Sequence, residues 1–529
     1  MARSIPPTNK ERTKGMNISR RQFLIGGAAF ASLGAFAGNR IILAAAGFKA
    51  GGKPRLKFGV LSDIHILRIG AEEKMSGWGN NLTFKHALEW FRSQDVDAVV
   101  IAGDMADKGM DENLMAVADA WYSVFPDDKY PDGRRVEKVF VTGNHDWIGY
   151  TYGGAAAKKY PDEAERVKHI LQKDMAGWWE KAFHEHYTPI YAKQIKGYKF
   201  IGTHWDMGGF GAEVGKKVYA FERVRDFLAK EGKAIDPSLP FFYVQHPHLK
   251  DTCYGAWAWG HDKGVATATL SAYPNAIAFS GHSHYSLTDE RSIWQGAFTS
   301  VGTGSLRYTT MPFDEIIPDG YENTNAPSGK DKWRRDAVKL MEGIGGGDCR
   351  NGMLWSVYDD CIVVKRREFL SDLDIGEEWV MPLPAAEPRP FAFAEHAKRL
   401  RAPEFPAAAT VAVTEMNAKN RGGKSKDGKE KIAAEKKPSF KVTVPAVVSD
   451  DKARLFSLEF TAMTADGKSQ KKLVLPEGFN HSLKHKKAQS RQVCYFRKDE
   501  LGAGDVTFTV TPMNCFGARG KSLATTFKA

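Results

Sequence analysis

The sequence predicts an α/β domain followed by an all-β domain in a chain of 529 residues. From residue 55 to about residue 363, short apolar runs alternate with amphipathic stretches, which is typical of buried strands and covering helices in an α/β fold. After a Pro-rich stretch at 382–390, the pattern changes to short alternating strands, which is typical of an all-β fold. The chain is also too long for one hydrophobic core, which favours two or three domains.

Seven apolar runs of the first region end in polar residues and are predicted as strands. In chain order they are RLKFGVLSD, DAVVIAGD, KVFVTGN, KFIGTHW, PFFYVQH, AIAFSGH and AFTSVGT. Between them, helical periodicity predicts helices over residues 83–94, 112–124, 162–184 and 219–230. The run MLWSVYDDCIVVKRREF is predicted as a hairpin that turns at Asp359 and Asp360.

Bulk composition and charge exclude little. Hydrophobic residues make up 43% of the chain and charged residues 26%, as in an ordinary soluble globular protein. The net charge is +12, but residues 1–46 supply half of it, so there is no specific signal for nucleic-acid binding. The five cysteines show no CxxC pair and no Cys/His zinc spacing. Their odd number leaves at least one thiol unbridged, and the sequence does not choose a disulfide.

The N-terminal segment, residues 1–46, is predicted to be a twin-arginine signal peptide. The stretch SRRQFLIGGAAFASLGAFAG places the paired Arg20 and Arg21 before a moderately apolar run that ends in small residues. Cleavage after Ala37 or after Ala46 fits this pattern, and an uncleaved short membrane anchor is the alternative. We expect a bacterial protein that the twin-arginine machinery exports to the periplasm or the medium, with no transmembrane segment after the signal.

Side chains that can bind metal ions follow five of the predicted strands, at the point where each strand ends. In an open α/β sheet the carboxyl ends of the strands form the binding edge, so these side chains are expected to meet. Residues two apart on an extended strand end point to the same side, as two pairs here would do. Carboxylate, imidazole and amide groups together suit two divalent or trivalent transition metals. The residues are Asp63 and His65, Asp104, Asn144 and His145, His246, and His282 and His284.

Five motifs at these strand ends resemble, in the same order, those of the calcineurin-like metallophosphoesterases. They are DIH at 63–65, GDMAD at 103–107, GNHD at 143–146, QHPH at 245–248 and GHSH at 281–284. The resemblance extends over residues 55–308. It implies a phosphoesterase domain at residues 54–380 with the fold of that family, a four-layer α/β/β/α sandwich with two mixed sheets.

The resemblance also implies a metal centre and a reaction. The ions would be two divalent or trivalent transition metals, either iron, manganese or zinc. A hydroxide that bridges two such ions attacks phosphorus, so the expected function is hydrolysis of a phosphate mono- or diester. Seven residues would hold the ions: Asp63, His65 and His284 the first, Asn144, His246 and His282 the second, and Asp104 both.

His145 is expected to act beside the metal ions rather than to bind them. In that position it would stabilise the charge of the transition state and protonate the leaving oxygen. Asp107, three residues after the bridging carboxylate, is expected to orient His145, and Asp146 is expected to shape the turn. In the fourth motif His246 ends the apolar run directly and is the expected ligand, with His248 as an alternative ligand or a substrate contact.

Four residues near these motifs are expected to contact substrate and to set specificity. They lie in the connection DTCYGAWAWGHDKG, in the strand end GTHWD and in the fourth motif. Exposed tryptophans in a loop beside a site can form a substrate wall, and packing of that loop on a small core of its own is the alternative. The four residues are His204, His248, Trp257 and His261.

Residues 381–404 are predicted as a Pro-rich linker and residues 405–529 as a fibronectin type III-like β-sandwich domain. The stretch DVTFTVTPMNCFGARGKSL resembles the last two strands of that family, with Asn514 and Gly517 at its corner. Val506 stands where the family usually has Tyr, so a β-sandwich of the same shape but unrelated sequence is the alternative.

A second class of function stays open at this stage. A non-catalytic surface- or ligand-binding protein could use the phosphoesterase fold as a scaffold, with the β domain as its working part. The complete set of seven metal ligands favours the enzyme, since a scaffold has no chemical need for them. The metal content of purified protein separates the two classes, and a panel of mono- and diesters separates the substrates.

Overall fold

The computed structural model divides the chain into two units, Met1–Gly51 and Gly52–Ala529. It describes residues 52–66, 81–107, 109, 111–147, 162, 175–205, 222–254, 262–309, 322–323, 349–384, 389–419, 423–424, 431–432, 436–476, 478–485, 488 and 491–528. The predicted signal peptide at 1–46 lies outside these residues. All of the described residues belong to the second unit.

The first part of the second unit contains two β-sheets and the helices that cover them. Its strands are β1 (Leu56–Leu61), β2 (Ala98–Ala102), β3 (Glu137–Val141), β4 (Ile190–Ile195), β5 (Tyr198–Thr203), β6 (Phe241–Val244), β7 (Ala276–Ser280), β8 (Ile293–Gln295), β9 (Thr299–Gly302), β10 (Glu322–Asn323), β11 (Asn351–Val357), β12 (Cys361–Glu368), β13 (Leu373–Asp374) and β14 (Trp379–Pro382). Of these, β10 belongs to neither of the two sheets and pairs with a strand of the C-terminal region. Its helices are α1 (Asn81–Ser93), α2 (Asp111–Val124), α3 (Met175–Phe183), α4 (Glu222–Glu231) and α5 (Val265–Leu270). Across the described residues, no helix combines the length and the apolar character needed to cross a bilayer.

Both sheets are mixed, as the family resemblance implies. The first has the strand order β13-β12-β11-β1-β2-β3, with β14 also paired to β12. Its strands β1, β2 and β3 run parallel, whereas β11 pairs antiparallel with β1. The second has the order β4-β5-β6-β7-β9-β8, in which β5, β6, β7 and β9 run parallel. The carboxyl ends of these parallel strands are where binding residues are expected to gather.

Three hydrophobic cores hold the sheets and helices together. Helices α1, α2 and α3 bury Phe84 and Trp121, with their neighbours, against one face of the first sheet. The other face packs on the second sheet, where the ring of Phe58 lies 4.8 Å from that of Phe242 and 6.0 Å from that of Phe279. Helices α4 and α5 cover the opposite face of the second sheet. Full burial of one such side chain stabilises the fold by about 1.5–3 kcal/mol.

The seven predicted strands are all present, as β1, β2, β3, β5, β6, β7 and β9. The predicted hairpin is present as β11 and β12, with Val357 paired to Ile362 across the turn. The sequence patterns do not predict β4, a half-exposed strand without an apolar run, or β8, which has three residues. The helix predicted at 83–94 begins two residues earlier, at Asn81. The helix predicted at 162–184 lies partly outside the described residues, and its described part includes α3.

The C-terminal region contains further β-sheets, as its alternating pattern predicts. Its strands are β15 (Ala412–Lys419), β16 (Gly423–Lys424), β17 (Lys431–Ile432), β18 (Lys436–Val444), β19 (Ser457–Thr464), β20 (Ser469–Val474), β21 (Gln492–Arg497), β22 (Val506–Met513) and β23 (Leu523–Phe527). Its helices are α6 (Phe393–Arg399) and α7 (Lys498–Leu501). Two of the sheets, with the orders β15-β18-β21 and β10-β20-β19-β22-β23, pack on one core that includes Phe440, Phe460 and Phe508.

The segment predicted as a linker, 381–404, packs against both of its neighbours. Phe391 is buried in the core between the two sheets of the first part. His396, in α6, contacts Phe516 of the C-terminal region, with ring centroids 5.3 Å apart. Its Nε2 also lies 3.3 Å from Glu290 Oε2 in the first part. The connection between the two regions is therefore folded onto both.

Candidate metal centre

The backbone turns sharply at five of the predicted ligands, which follow β1, β2 and β7. Asp63, His65, Asp104, His282 and His284 have φ angles of 51°, 51°, 53°, 74° and 57°. Left-handed backbone is uncommon for residues other than glycine and costs about 1–3 kcal/mol at each position. Such strain persists only where the surrounding fold holds the residue in place, and it clusters at functional sites. Here the turns make the five side chains converge.

Four of the predicted ligands form the first group of converging side chains. His284 Nε2 lies 3.2 Å from Asp63 Oδ1. His65 Nε2 lies 3.1 Å from His284 Nε2 and 3.5 Å from Asp104 Oδ2. All four residues are buried, and their ligand atoms lie within 4.8 Å of one another. The group is therefore compact enough to share one metal ion.

Asp104 also belongs to a second group. Its Oδ2 lies 3.1 Å from His246 Nε2, which is 3.2 Å from His282 Nδ1. These ligand atoms also lie within 4.8 Å of one another. One carboxylate thus joins the two groups, and it is the carboxylate that the sequence predicts as the bridge.

Asn144 stands next to the second group and carries an unused acceptor. The backbone N–H of the following residue, His145, donates to Asp104 Oδ1 at 2.7 Å, and a Cβ atom on Gly143 would lie 2.2 Å from the same oxygen. Glycine is therefore required at 143. The buried Oδ1 of Asn144 has no hydrogen-bond partner among the residues that the structure describes. Leaving a buried polar atom unpaired costs about 1–3 kcal/mol, and a metal ion within reach would give this oxygen a partner.

Contacts on the far side of three imidazoles turn one ring nitrogen of each toward the groups. The Nδ1 atoms of His246 and His284 lie 2.8 and 3.1 Å from backbone carbonyl oxygens. Because a carbonyl only accepts, each Nδ1 carries a proton and each Nε2 can present a lone pair. His65 Nδ1 contacts the carboxylate of Asp107 at 3.2 Å, with the same effect. Histidine ligands of metal ions are usually held in this way.

The facing nitrogens fit a site built for cations. In their ligand state, His65 Nε2 and His284 Nε2 are both acceptors, and two acceptors 3.1 Å apart repel each other unless a positive charge lies nearby. Carboxylate, imidazole and amide oxygen are suitable ligands for iron, manganese and zinc. The residues present therefore fit two transition metal ions, one in each group.

Burial and neighbouring charges set the protonation of the ligands before metal binds. Burial lowers the pKa of His65 to about 4 and that of His282 to about 3, so both rings are neutral near pH 7. Burial alone would raise the pKa of Asp63, but the imidazoles beside it outweigh burial and lower the pKa to about 2. Burial opposes the charge on His246, but Asp104 outweighs it and the pKa rises to about 9. A metal ion in the second group would thus displace a proton from His246.

His145 lies beside the two groups and stays open to solvent. Its side chain is 32% exposed, whereas those of His65 and His246 are 2% and 0% exposed. Its ring packs edge-on against His65, with ring centroids 4.4 Å apart. A side chain that touches the ligand cluster and also faces solvent is placed to reach a bound substrate.

The order of these residues along the chain matches a known family. Residues 56–286, which include all seven predicted ligands, match the sequence model of the family described as calcineurin-like phosphoesterase. This region is a calcineurin-like phosphoesterase domain. No curated protein gives a significant match to the chain.

Solved structures resemble the chain only distantly. A dimetal phosphatase from Danio rerio is 13% identical, with a TM-score of 0.35, over 62% of this chain and 99% of that chain. The purple acid phosphatase PPD1 from yellow lupin (Lupinus luteus) seeds is 10% identical, with a TM-score of 0.35, over 61% of this chain and 53% of that chain. Likeness at this level carries no argument about function.

In the phosphoesterase domain, the carboxylate of Asp107 does not orient His145 as predicted. His145 Nδ1 lies 3.0 Å from the backbone oxygen of Asp107 but 3.8 Å from its Oδ1. The carboxylate instead contacts His65 Nδ1 and pairs with the guanidinium of Arg307. Burial would raise the pKa of Asp107, but these two partners outweigh burial and lower it to about 2. Arg307 follows 200 residues later, so no local pattern reveals this partner.

Replacing Asp107 with Asn is therefore expected to weaken metal binding in the first group. His65 would lose the carboxylate that fixes its tautomer, and such a loss usually costs roughly 10–100-fold in metal affinity. Metal titration of the stripped protein measures the effect. The matched control is Asp372→Asn, because Asp372 Oδ1 lies 2.9 Å from His86 Nε2 at the surface, far in sequence from any ligand motif. Unaltered affinity in Asp107→Asn would return the carboxylate to the role first predicted for it.

Asp146 ties two motifs of the phosphoesterase domain together. Its Oδ1 accepts from the N–H of Ala106 at 2.7 Å, and its Oδ2 accepts from the N–H of Gly143 at 2.7 Å. The side chain is fully buried, and burial together with the charge of Asp104 raises its pKa to about 7. Its role is to shape the turn, as the sequence predicts.

His204, predicted as a substrate contact, is a packing residue. Its ring lies among Trp179 and Tyr187, with centroids 4.7 and 4.6 Å away. Its Nδ1 accepts from the backbone N–H of Thr142 at 3.0 Å. Burial lowers its pKa to about 3, so it is a neutral acceptor inside the fold. Burial removes it from contact with substrate, which corrects the prediction.

His248 is enclosed in a similar way, which corrects both roles considered for it. Its Nδ1 contacts Ser280 Oγ at 2.8 Å and its Nε2 contacts Ser283 Oγ at 2.5 Å, so both ring nitrogens are engaged. Only 1% of its surface is exposed. The remaining two predicted contacts, Trp257 and His261, lie outside the described residues.

The loop after β9, residues 303–309, belongs to the site and is missed by the sequence analysis. Ser305 Oγ lies 3.1 Å from His284 Nδ1, and the ring of Tyr308 packs on that of His284 with centroids 4.3 Å apart. Arg307 in the same loop pairs with Asp107. Strand β9 runs parallel to β7, so its carboxyl end lies at the same edge of the sheet. Treating that strand end as a further binding position would reveal the loop from sequence.

Proposed function

We propose that the chain is a metal-dependent enzyme that hydrolyses a phosphate mono- or diester at a centre of two metal ions. The observation that carries the proposal is one carboxylate shared by two groups of ligands. Asp104 Oδ2 lies 3.5 Å from His65 Nε2 and 3.1 Å from His246 Nε2. Two metal ions bound by these groups would supply Lewis-acid activation of the phosphate and a nucleophile from water.

The side chains that would hold the ions also set the charge of the site. Two carboxylates among seven ligands leave the centre positive once two divalent or trivalent ions are bound, which favours an anionic phosphate ester. Iron, manganese and zinc all suit this donor set. The ligands are Asp63, His65 and His284 for the first ion, Asn144, His246 and His282 for the second, and Asp104 for both.

His145 is the residue placed to move a proton to the substrate. The backbone oxygen of Asp107 accepts from its Nδ1, so Nε2 of the protonated ring is the atom that can give up a proton. Its position beside His65 and its exposure to solvent allow that nitrogen to reach the leaving oxygen. General acid catalysis of this kind contributes roughly 10²–10⁴-fold to the rate.

Hydrolysis of model esters, with metal removed and then restored, tests the proposed function. We expect hydrolysis of a nitrophenyl mono- or diester, which is lost after chelation and regained when manganese, iron or zinc is added back. Full occupancy by two metal ions without hydrolysis of any ester would support the alternative, a non-catalytic ligand-binding protein. A chain that binds no metal ion would refute the proposal.

We also propose the finer architecture. The order of the three cores supports a four-layer α/β/β/α sandwich for residues 54–380. For residues 405–529, joined by the linker at 381–404, the two sheets on one core support a fibronectin type III-like β-sandwich. At its corner, Asn514 Oδ1 accepts from the backbone N–H groups of Phe516 and Ala518 at 3.0 and 2.9 Å.

We further propose export by the twin-arginine route, with residues 1–46 as the signal. Replacing both Arg20 and Arg21 with Lys is expected to leave the precursor in the cytoplasm of a bacterial host, because a receptor reads the pair rather than its charge alone. The control, Lys10→Arg with Lys14→Arg, changes two basic residues outside the pair and should not alter export. Cell fractionation measures the outcome. Normal export of the chain in which Lys replaces both Arg20 and Arg21 would exclude this route.

A further inference from the structure

We propose that Cys349, Glu368 and His481 form another metal site, separate from the two-metal centre, that binds one zinc ion. The site lies where the phosphoesterase domain meets the C-terminal region: Cys349 precedes β11, Glu368 ends β12, and His481 lies between β20 and β21. All three residues are buried, with at most 1% of their surface exposed. The proposal does not depend on the hydrolytic function.

The three side chains converge on one point. His481 Nδ1 lies 3.2 Å from Cys349 Sγ and 3.2 Å from Glu368 Oε1. Ligand atoms about 2.0–2.3 Å from a tetrahedral zinc ion are themselves roughly 3–4 Å apart, so little movement would admit the ion. Within the described part of the chain, potential ligands converge like this at the two-metal centre and here.

Hydrogen bonds alone cannot satisfy both contacts of His481 Nδ1, with Cys349 Sγ and with Glu368 Oε1. If Nδ1 carries a proton, that single proton can serve Glu368 or Cys349, but it cannot serve both well. If Nδ1 is bare, the thiol of Cys349 can donate to it, but the carboxylate then faces a lone pair. A cation among the three atoms satisfies the imidazole, the carboxylate and a thiolate together.

A protonated His481 paired with Glu368 is the main competing arrangement. It would put a second proton on His481 Nε2, which is buried and has no hydrogen-bond partner in the described residues. Burying an unpaired donor costs about 1–3 kcal/mol, and more when the group is charged. A ring that binds metal through Nδ1 also carries its one proton on Nε2, but that ring is neutral, so the buried donor costs less than it does in the protonated ring. This difference favours the metal site.

The donor set points to zinc. Thiolate, imidazole and carboxylate are all zinc ligands, and the thiolate selects against manganese and magnesium. The two-metal centre has no cysteine among its seven ligands, so sulfur distinguishes the two kinds of site. Three protein ligands leave the fourth position of a tetrahedral ion to a water molecule. Binding would release the proton of the thiol.

A zinc ion at this position would hold the C-terminal region against the loop at residues 303–309. Asn480, next to His481, donates from its Nδ2 to the carbonyl oxygen of Thr309 at 3.4 Å. Arg350, next to Cys349, donates from its Nη1 to the carbonyl oxygen of Leu306 at 3.2 Å. Leu306 and Thr309 belong to the loop at 303–309 that contacts the ligands of the two-metal centre. The zinc site would therefore support that loop from the boundary between the phosphoesterase domain and the C-terminal region.

Cobalt substitution of the full chain tests the proposal directly. After chelation, titration with Co²⁺ alone is expected to fill three positions and to produce one equivalent of sulfur-to-cobalt charge-transfer absorption. Cys349→Ser should lose that absorption and bind two cobalt ions. Asp104→Asn should show the reverse, with the sulfur absorption kept. The matched control is Cys361→Ser, since Cys361 is another buried cysteine and lies outside the converging group.

The titration of the unaltered chain decides the matter even if a variant fails to fold. Cobalt bound at the two-metal centre without any sulfur absorption would refute the zinc site, and so would absorption that survives in folded Cys349→Ser. As a second measurement, Glu368→Gln should shift the cobalt titration of the sulfur site to higher concentration. Added zinc should raise the Tm of the unaltered chain by more than that of Cys349→Ser, because the two-metal centre can bind zinc in both proteins and the sulfur site only in the first.

Discussion

Asp104→Asn is expected to remove both metal ions of the centre and to abolish nearly all hydrolysis. Asp104 Oδ2 lies near His65 of the first group and His246 of the second, so one change weakens both positions. Asparagine offers one oxygen and no charge in place of a carboxylate. The loss of metal affinity should therefore exceed the roughly 10–100-fold loss that follows from changing a residue that hydrogen-bonds to a metal ligand. Elemental analysis and the ester assay measure the two effects.

The control for this variant is Asp95→Asn, the same chemical change at an exposed ion pair with Arg134. Surface pairs of this kind contribute little, so its metal content and activity should match those of the unaltered chain. Two metal ions retained in Asp104→Asn would mean that this carboxylate does not bridge. Loss of one ion alone would assign it to a single group.

His145→Ala is expected to keep both metal ions and to lose rate in a manner that depends on the leaving group. A nitrophenolate departs readily without a proton, whereas an alkoxide does not. The loss should thus approach the roughly 10²–10⁴-fold of general acid catalysis for an alkyl phosphate and be smaller for a nitrophenyl ester. Comparing kcat for the two esters at full metal occupancy measures the difference.

Two other outcomes would change the role of His145. Equal losses on both esters would indicate that it stabilises transition-state charge and donates no proton. Loss of metal would make it a ligand. Because the carboxylate of Asp107 contacts His65 and not His145, Asp107→Asn should reduce metal affinity without the same dependence on the leaving group. The two variants therefore separate proton transfer from the support of a ligand.

Much of the metal centre follows from the sequence, because its signals are local. Each ligand ends an apolar run, and pairs such as Asp63 and His65 keep the spacing that places two side chains on one side of a strand end. The hairpin of β11 and β12 is equally local, since its two strands pair across a short turn. A few neighbouring residues are therefore enough to show that a strand is buried and where it ends.

Other features depend on contacts between distant residues, and the sequence cannot show them. Whether His204 and His248 face substrate or the interior depends on how helices and loops pack over them. The partner of Asp107 is Arg307, which lies 200 residues later in the chain, in the loop after β9. Local periodicity carries no information about such contacts, because they depend on how one element packs on another.

The converging Cys349, Glu368 and His481 show this division most clearly. Sequence alone determined that no local zinc spacing exists, and it determined which carboxylate, imidazole and amide residues follow the strands of the phosphoesterase domain. His481 is 132 residues from Cys349 and 113 from Glu368, so only the docking of the C-terminal region on the phosphoesterase sheet brings them together. Strand ends are set by neighbouring residues along the chain, whereas this cluster is set by the surface on which two separately encoded regions pack.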